Sequence, residues 1–143
     1  MGYSAATAKS PRVSSSASAS VTSASIARIA AIRQAQPALR YGRQYFREIS
    51  GNGRDFGYPL DGRCTLAYSR IFDDQEILVA MNLESSPRSD FVTIDANLNV
   101  VGHKAANLLA AEQEVAVEER DGRYVIQVPL ASHELAILKL GSP

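Results

Sequence analysis

Two pairs of neighbouring carboxylates, Asp73-Asp74 and Glu118-Glu119, are the first residues of this chain whose types could do chemistry. Cleaving a glycosidic bond takes two carboxyl groups facing each other across a substrate, about 5–10 Å apart, one to supply a proton and one to attack or to activate water. Asp73 and Asp74 fall between two apolar runs, where acids are favoured in a tight turn by backbone hydrogen bonding and by solvation. Glu118 and Glu119 flank a second turn at Asp121-Gly122. Both pairs read as turn chemistry, and no catalytic residue is assigned. The two histidines, His103 and His133, are too few for a metal site without carboxylate help. Glu134 adjoins His133, but neighbours in a strand point to opposite faces. Both histidines read as surface or strand-end residues, so no metal and no cofactor is expected. Cys64 is the only cysteine, which excludes an internal disulfide. It opens an apolar run and reads as a small buried residue; a nucleophilic role needs a partner base that the sequence does not place beside it.

Gly-rich and aromatic residues are the remaining candidates. "GNGRDFG" has the spacing G-x-G-x-x-x-G and no helix after it. A dinucleotide fingerprint needs a strand before it and a helix start behind it, so the segment reads as a flexible loop. Six tyrosines, four phenylalanines and no tryptophan leave little for a strong sugar-stacking platform. The set Tyr41, Tyr45, Tyr58 and Tyr68, if aligned on one face, is the candidate for a weak carbohydrate contact.

These residues need a scaffold, and 143 residues make one domain with a real core. No stretch approaches the ~18–20 apolar residues of a membrane span. The net charge is zero but uneven: residues 1–54 hold eight Lys/Arg and one acid, Glu48, whereas 55–143 hold seven Lys/Arg and fourteen acids. Such a basic front suits a nucleic-acid arm or a targeting segment. No nucleic-acid-binding motif accompanies it, so arginines lying on one helix and one strand explain it, and no nucleic-acid partner is expected. Residues 1–20 are Ser/Ala-rich with almost nothing to bury, which predicts disorder. They are acid-poor, as organelle transit peptides are, but short of arginine. A cytoplasmic location is expected, with targeting by this tail left open.

The periodicity then changes twice. Thr22 or Ser23 is placed to cap a helix whose Ile26, Ile29 and Ala30 fall on one side with Ile32 beside them, and Pro37 ends it at Gln36. From Arg40 the period is two: "RYGRQYFREI" predicts a first strand and "CTLAYSRIF" a second. "EILVAMNL" is nearly continuous in apolar residues, as in a strand covered on both faces. "DFVTID" is a short strand, and "HKAANLLA" is ambiguous between helix and strand. "VAVEERDGRYVIQV" predicts a hairpin turning at Asp121-Gly122, and "ELAILKL" closes the chain. About eight strands without helical crossovers define an all-β fold, an antiparallel β-sandwich or Greek-key domain preceded by one α-helix and the Ser/Ala tail.

One block is less generic. Arg28, Ile29, Ala30, Ala31, Ile32 and Arg33, followed by Pro37, Ala38, Leu39, Arg40 and Gly42, resemble the junction between the last barrel helix and the C-terminal β-domain of the alpha-amylase family of glycoside hydrolases. "LAYSRIFDDQEILVAMNLE" and "VPLASHELAILKL" are similar to later strands of the same domain. The resemblance implies three parts: a tail over 1–20, a helix like the last barrel helix over 21–39, and a C-terminal β-sandwich over 40–143. It also implies a non-catalytic domain that packs on a barrel, supports it and sometimes touches α-glucan. The family's two catalytic aspartates and its catalytic glutamate stand at the ends of barrel strands. None of those strands is in this chain, so no catalytic residue carries over and no enzyme activity is expected of the chain alone. Two other classes of function stay open. One is a stand-alone carbohydrate-binding module. The other is an interaction protein that forms a homodimer through residues 21–36, with Ile26, Ile29 and Ile32 at the interface.

Overall fold

Pro37 breaks the helical run as the sequence predicts, but the chain then enters a second helix rather than a strand. The computed structural model describes residues 23–59 and 64–142; the Ser/Ala tail of 1–20 and the candidate cap Thr22 lie outside them. The chain divides into Met1–Ala35 and Gln36–Pro143. Within the first unit the described part is helix α1, residues 23–35. Ile26 and Ile29 are 62% and 36% exposed on it, and Ile32 is half-buried.

The second unit begins with α2, Pro37–Tyr41, which takes Arg40 and Tyr41 out of the expected first strand. Gln36 is extended, as a residue before proline must be, and the fixed φ of Pro37 starts a new helical turn. Gly42 ends it, its amide donating to the Ala38 carbonyl at 2.9 Å. A side chain at position 42 would collide with the Ala38 and Ile71 carbonyl oxygens, which is why the turn closes on glycine.

Among the described residues ten strands come after α2: β1 (Arg43–Phe46), β2 (Ile49–Ser50), β3 (Thr65–Phe72), β4 (Gln75–Asn82), β5 (Arg88–Thr93), β6 (Lys104–Asn107), β7 (Glu114–Ala116), β8 (Glu118–Arg120), β9 (Arg123–Leu130) and β10 (Leu135–Ser142). They form a six-stranded sheet in the order β1-β3-β4-β10-β6-β7 and a four-stranded sheet in the order β2-β5-β9-β8. Every strand pair is antiparallel. The architecture is the expected all-β sandwich. Its ten strands exceed the anticipated eight because two predicted strands each change sheet midway. "RYGRQYFREI" crosses at Arg47-Glu48, and "VAVEER" crosses at Val117, which is 1% exposed and hydrogen-bonded through its amide to the His103 carbonyl. The ambiguous "HKAANLLA" contributes β6 as a strand.

Both anticipated hairpins form. Asp73, at φ 53°, and Asp74 join β3 to β4. Asp121 and Gly122, both with positive φ (51° and 74°), join β8 to β9, the backbone that a right-twisted two-residue hairpin requires.

The core lies between the sheets. Ala67, Ala80 and Ala136 pair in one row across β3, β4 and β10. These small residues leave room for the branched side chains of the facing sheet, Val92, Ile126, Val128 and Leu130, all in one buried cluster with them. The run "EILVAMNL" is covered on both faces, as its apolar continuity predicts: Leu78 and Ala80 belong to the inter-sheet cluster, while Ile77 and Val79 are buried on the outer face. α2 packs on the outer side of β3 and β4. No helix among the described residues is long and apolar enough to cross a membrane.

Candidate functional site

The crossing of the chain from β1 to β2 builds the most distinctive region of the surface. The Arg47 amide donates to the Ala67 carbonyl at 2.9 Å and turns the side chain inward. There Arg47 Nη2 meets Glu76 Oε1 at 2.9 Å and Nε donates to Ser69 Oγ at 2.8 Å. Glu76 is 1% exposed, a carboxylate inside the sandwich. It also accepts from the Ser69 hydroxyl, from Asn99 Nδ2 at 2.7 Å and from the Asp95 amide at 3.1 Å. A buried charge is tolerated only when it is paired and fully hydrogen-bonded, and Glu76 is both. It ties the β1–β2 crossing to β3, β4 and the loop after β5. The acceptor sites of Glu76 are all spent on the fold, so the residue is structural, and nothing in the alternation around "DDQEIL" announces it.

With Arg47 fixed, the residues before it are displayed at the sheet edge. Tyr45 stands opposite Ser69, and Phe46 stands opposite Tyr68. Consecutive strand residues face opposite sides, so Tyr45 and Tyr68 do not share a face. Phe46 and Tyr68 meet edge to face at 6.3 Å on the outer side. Tyr41, from α2, packs on Phe72 at 5.9 Å. The Arg47 guanidinium lies 5.8 Å from the centre of the Tyr45 ring. The four tyrosines singled out in the sequence thus fall into two groups: Tyr41 and Tyr68 beside outer-face aromatics, and Tyr45 with Tyr58.

Tyr58 is brought there by the Gly-rich loop. Hydrogen bonds close the loop on itself. Asn52 Oδ1 accepts from Ser50 Oγ and from the amides of Arg54 and Asp55 at 2.9–3.0 Å, and Asn52 Nδ2 donates to Asp55 at 2.7 Å. The ends of the loop pair with each other through Ile49 and Gly57 at 3.0 and 3.1 Å. Gly53, at φ 76°, lies against the Phe91 ring. Tyr58 and Pro59 leave this closed loop and, with Tyr45, Phe46 and Leu66, line an apolar cleft of about 710 Å³.

Beyond Tyr58 and Pro59 the surface becomes polar. A shallower basin of about 350 Å³ is lined by Ser50, Asp55, Arg88 and Asp90 as well as by those two residues. Asp90 is 3% exposed and accepts from Thr65 Oγ1 at 2.6 Å and from Arg88 at 2.9 and 3.1 Å. Burial pushes its carboxyl up, but the hydrogen bonds from Arg88 and Thr65 and the charge of Arg88 outweigh that and hold it below the usual carboxylate range. The bonds to Asp90 and to Glu84 Oε2, at 2.9 Å, in turn hold the Arg88 guanidinium charged. Cys64, also at this basin, is buried.

The other chemistry-bearing residues are dispersed. Asp73 and Asp74 occupy the β3–β4 turn, and Glu118 is paired with Arg120 at 2.9 Å along β8. His103 precedes β6. His133, at φ 54°, and Glu134 lie in the turn between β9 and β10, not in a strand, and Glu134 accepts from the Ala131 amide at 2.6 Å. Among the described residues no group of three His, Cys, Asp or Glu is arranged to hold a metal ion.

The fold has counterparts in solved structures. An antiparallel sandwich of this kind forms a minor part of several alpha-amylases. The alpha-amylase of Geobacillus thermoleovorans, solved with acarbose, matches over 78% of this chain and 21% of its own, at 18% identity and a TM-score of 0.56. An Anoxybacillus alpha-amylase matches over 81% of this chain and 21% of its own, at 22% identity and a TM-score of 0.55. A maltogenic alpha-amylase of Thermotoga neapolitana matches over 79% and 24%, at 19% identity and a TM-score of 0.54. At these identities the likeness is one of fold. The chain spans about a fifth to a quarter of the length of the enzymes it matches. No family model matches the sequence, and no curated protein matches it either.

Proposed function

We propose that this chain acts as the non-catalytic C-terminal β-domain of an amylase-like glycoside hydrolase, steadying a catalytic domain rather than turning over substrate itself. The observation that carries this reading is the asymmetry of the structural match: about four-fifths of this chain against about one-fifth of each alpha-amylase. The outer face of the six-stranded sheet supports it. Phe46 is 56% exposed there, Met81 and Leu83 are each 36% exposed, and Leu66, Tyr68 and Leu135 are only half-buried. Exposed apolar residues on part of a sheet face, beside the buried Ile77, Val79 and Ile137, form a patch that another layer can cover. The test is hydrolysis of starch, sucrose, maltose and a nitrophenyl glucoside by the purified chain. No turnover is expected. Turnover that survives repurification and disappears when one named carboxylate is replaced would overturn the reading.

A second reading, self-association through residues 21–36, is favoured by the exposure of Ile26 and Ile29 on α1. Fully burying such a side chain is worth roughly 1.5–3 kcal/mol, and the same face of a second copy is a partner of matching chemistry.

A further inference from the structure

We infer that Asn52-Gly53 is a self-modifying site, at which the folded loop converts Asn52 through a cyclic succinimide to aspartate and isoaspartate. Any Asn-Gly pair holds the reacting atoms, because a glycine without Cβ lets the following amide nitrogen approach the asparagine side chain. This loop adds groups that an extended chain does not supply. Asn52 Oδ1 accepts from Ser50 Oγ at 2.9 Å and from the amides of Arg54 and Asp55 at 2.9 and 3.0 Å. Those donors are aimed at the oxygen on which negative charge develops when Cγ is attacked, as in an oxyanion hole. The attacking atom, the Gly53 nitrogen, donates its hydrogen to the same Ser50 hydroxyl at 3.0 Å. The leaving group, Asn52 Nδ2, donates to Asp55 Oδ2 at 2.7 Å.

Ser50 thus bridges nucleophile and electrophile. Its Oγ takes the Gly53 proton and passes its own to Asn52 Oδ1 as the bond from Gly53 N to Asn52 Cγ forms. The result is a neutral tetrahedral carbon carrying a hydroxyl and the amino group. The Cγ–Nδ2 bond then breaks, the hydroxyl proton leaves with the nitrogen as ammonia, and the cyclic imide remains. Water adds to either imide carbonyl; one opening gives aspartate and the other isoaspartate. Ser50 is 3% exposed, so its hydroxyl is kept for these two partners, whereas Asn52 is exposed to the water that the last step needs. The φ of 76° at Gly53 strains any other residue, so the loop itself demands the glycine. The product is not silent. It loses the Nδ2 donor and sets a second carboxylate against Asp55. Isoaspartate also inserts a methylene into the backbone between the paired Ile49 and Gly57, which loosens the loop that seats Tyr58 and Pro59.

The experiment is to age the full chain at neutral pH, folded and in denaturant. The peptide around Asn52 is followed by mass spectrometry, and isoaspartate is counted by enzymatic methylation. Generic Asn-Gly chemistry runs fastest in an unfolded chain, which is free to reach the attack geometry. Here the folded chain should react at least about tenfold faster than the unfolded one, the least that a positioned proton relay contributes. Ser50→Ala should slow the folded reaction at least about tenfold and leave the unfolded rate unchanged. A folded chain that reacts no faster than the unfolded one would overturn the inference whether or not the Ser50 variant folds, and the hydrogen bonds of Asn52 would then only close the loop. A Ser50→Ala chain with an unaltered circular dichroism spectrum and an unaltered rate of conversion would also overturn it.

Discussion

The two faces of the six-stranded sheet are built from similar residues and treated in opposite ways. The inner face carries the alanine row, Leu78, Leu138 and Leu140, and it is sealed by the second sheet. Its buried polar residues, Thr65, Ser69, Glu76, Asn82 and Asn107, are all hydrogen-bonded. Among the described residues no buried side-chain polar atom lacks a partner. The outer face carries Ile77, Val79 and Ile137, which are buried, beside Tyr68, which is half-buried, and Met81, which is exposed. Apolar content alone therefore does not mark the core. The inner face is where buried polar groups are also satisfied, so it specifies the fold; the outer face mixes apolar residues with charged ones such as Arg70 and the Lys104–Glu114 pair, and its exposed apolar part suits a surface that associates.

The largest effect that would break this contrast lies at Glu76. Replacing it by alanine leaves Arg47, Ser69 and Asn99 without their shared acceptor. A loss of about 3–5 kcal/mol in a denaturant melt is expected; a loss under about 1 kcal/mol would show that the network is not holding the two sheets together. Ile126→Ala, in the facing sheet, should cost about 2–5 kcal/mol through the cavity it leaves.

A smaller effect comes from pH. The Asp90 carboxyl is held below its ordinary 3.8 in the folded chain, so the unfolded chain binds its proton more readily. The stability this gives is present above 3.8 and fades as the pH falls through the lower folded value. Unfolding midpoints measured from neutral pH down into that range should show a fall that Asp90→Asn flattens. An equal slope in both proteins would remove Asp90 from the acid response.

Self-association sharpens the comparison from the other unit. The intact chain should run as a dimer in solution-mass measurements, and a version beginning at Gln36 should run as a monomer. If both are monomers with the same thermal midpoint, the exposed isoleucines of α1 form no interface.

Several of these features were legible in the sequence. Asp121-Gly122 announced its hairpin because two positive φ values fit few residues. The unbroken apolar run of β4 announced a strand covered on both sides. What was not legible depends on partners distant in sequence. "RYGRQYFREI" alternates smoothly, yet Arg47 leaves the sheet because Glu76, far along the chain, receives it. "VAVEER" alternates too, but Val117 turns into the core between two sheets. The tyrosine set was visible by type, and its division was not: Tyr45 and Tyr68 part company through the register that places Phe46, not Tyr45, opposite Tyr68. The cleft was hidden because a loop rich in glycine gives no sign that Asn52 closes it.

The most direct test is a triple substitution on the outer face, Phe46→Ser with Met81→Ser and Leu83→Ser, compared with the unaltered chain by fluorescence of a dye that binds exposed apolar surface and by thermal unfolding. An open docking face predicts that dye binding falls while the thermal midpoint stays within a few degrees, as for substitutions outside a core. A collapse of the midpoint, or dye binding left unchanged, would contradict the claim that this face is held open for a partner.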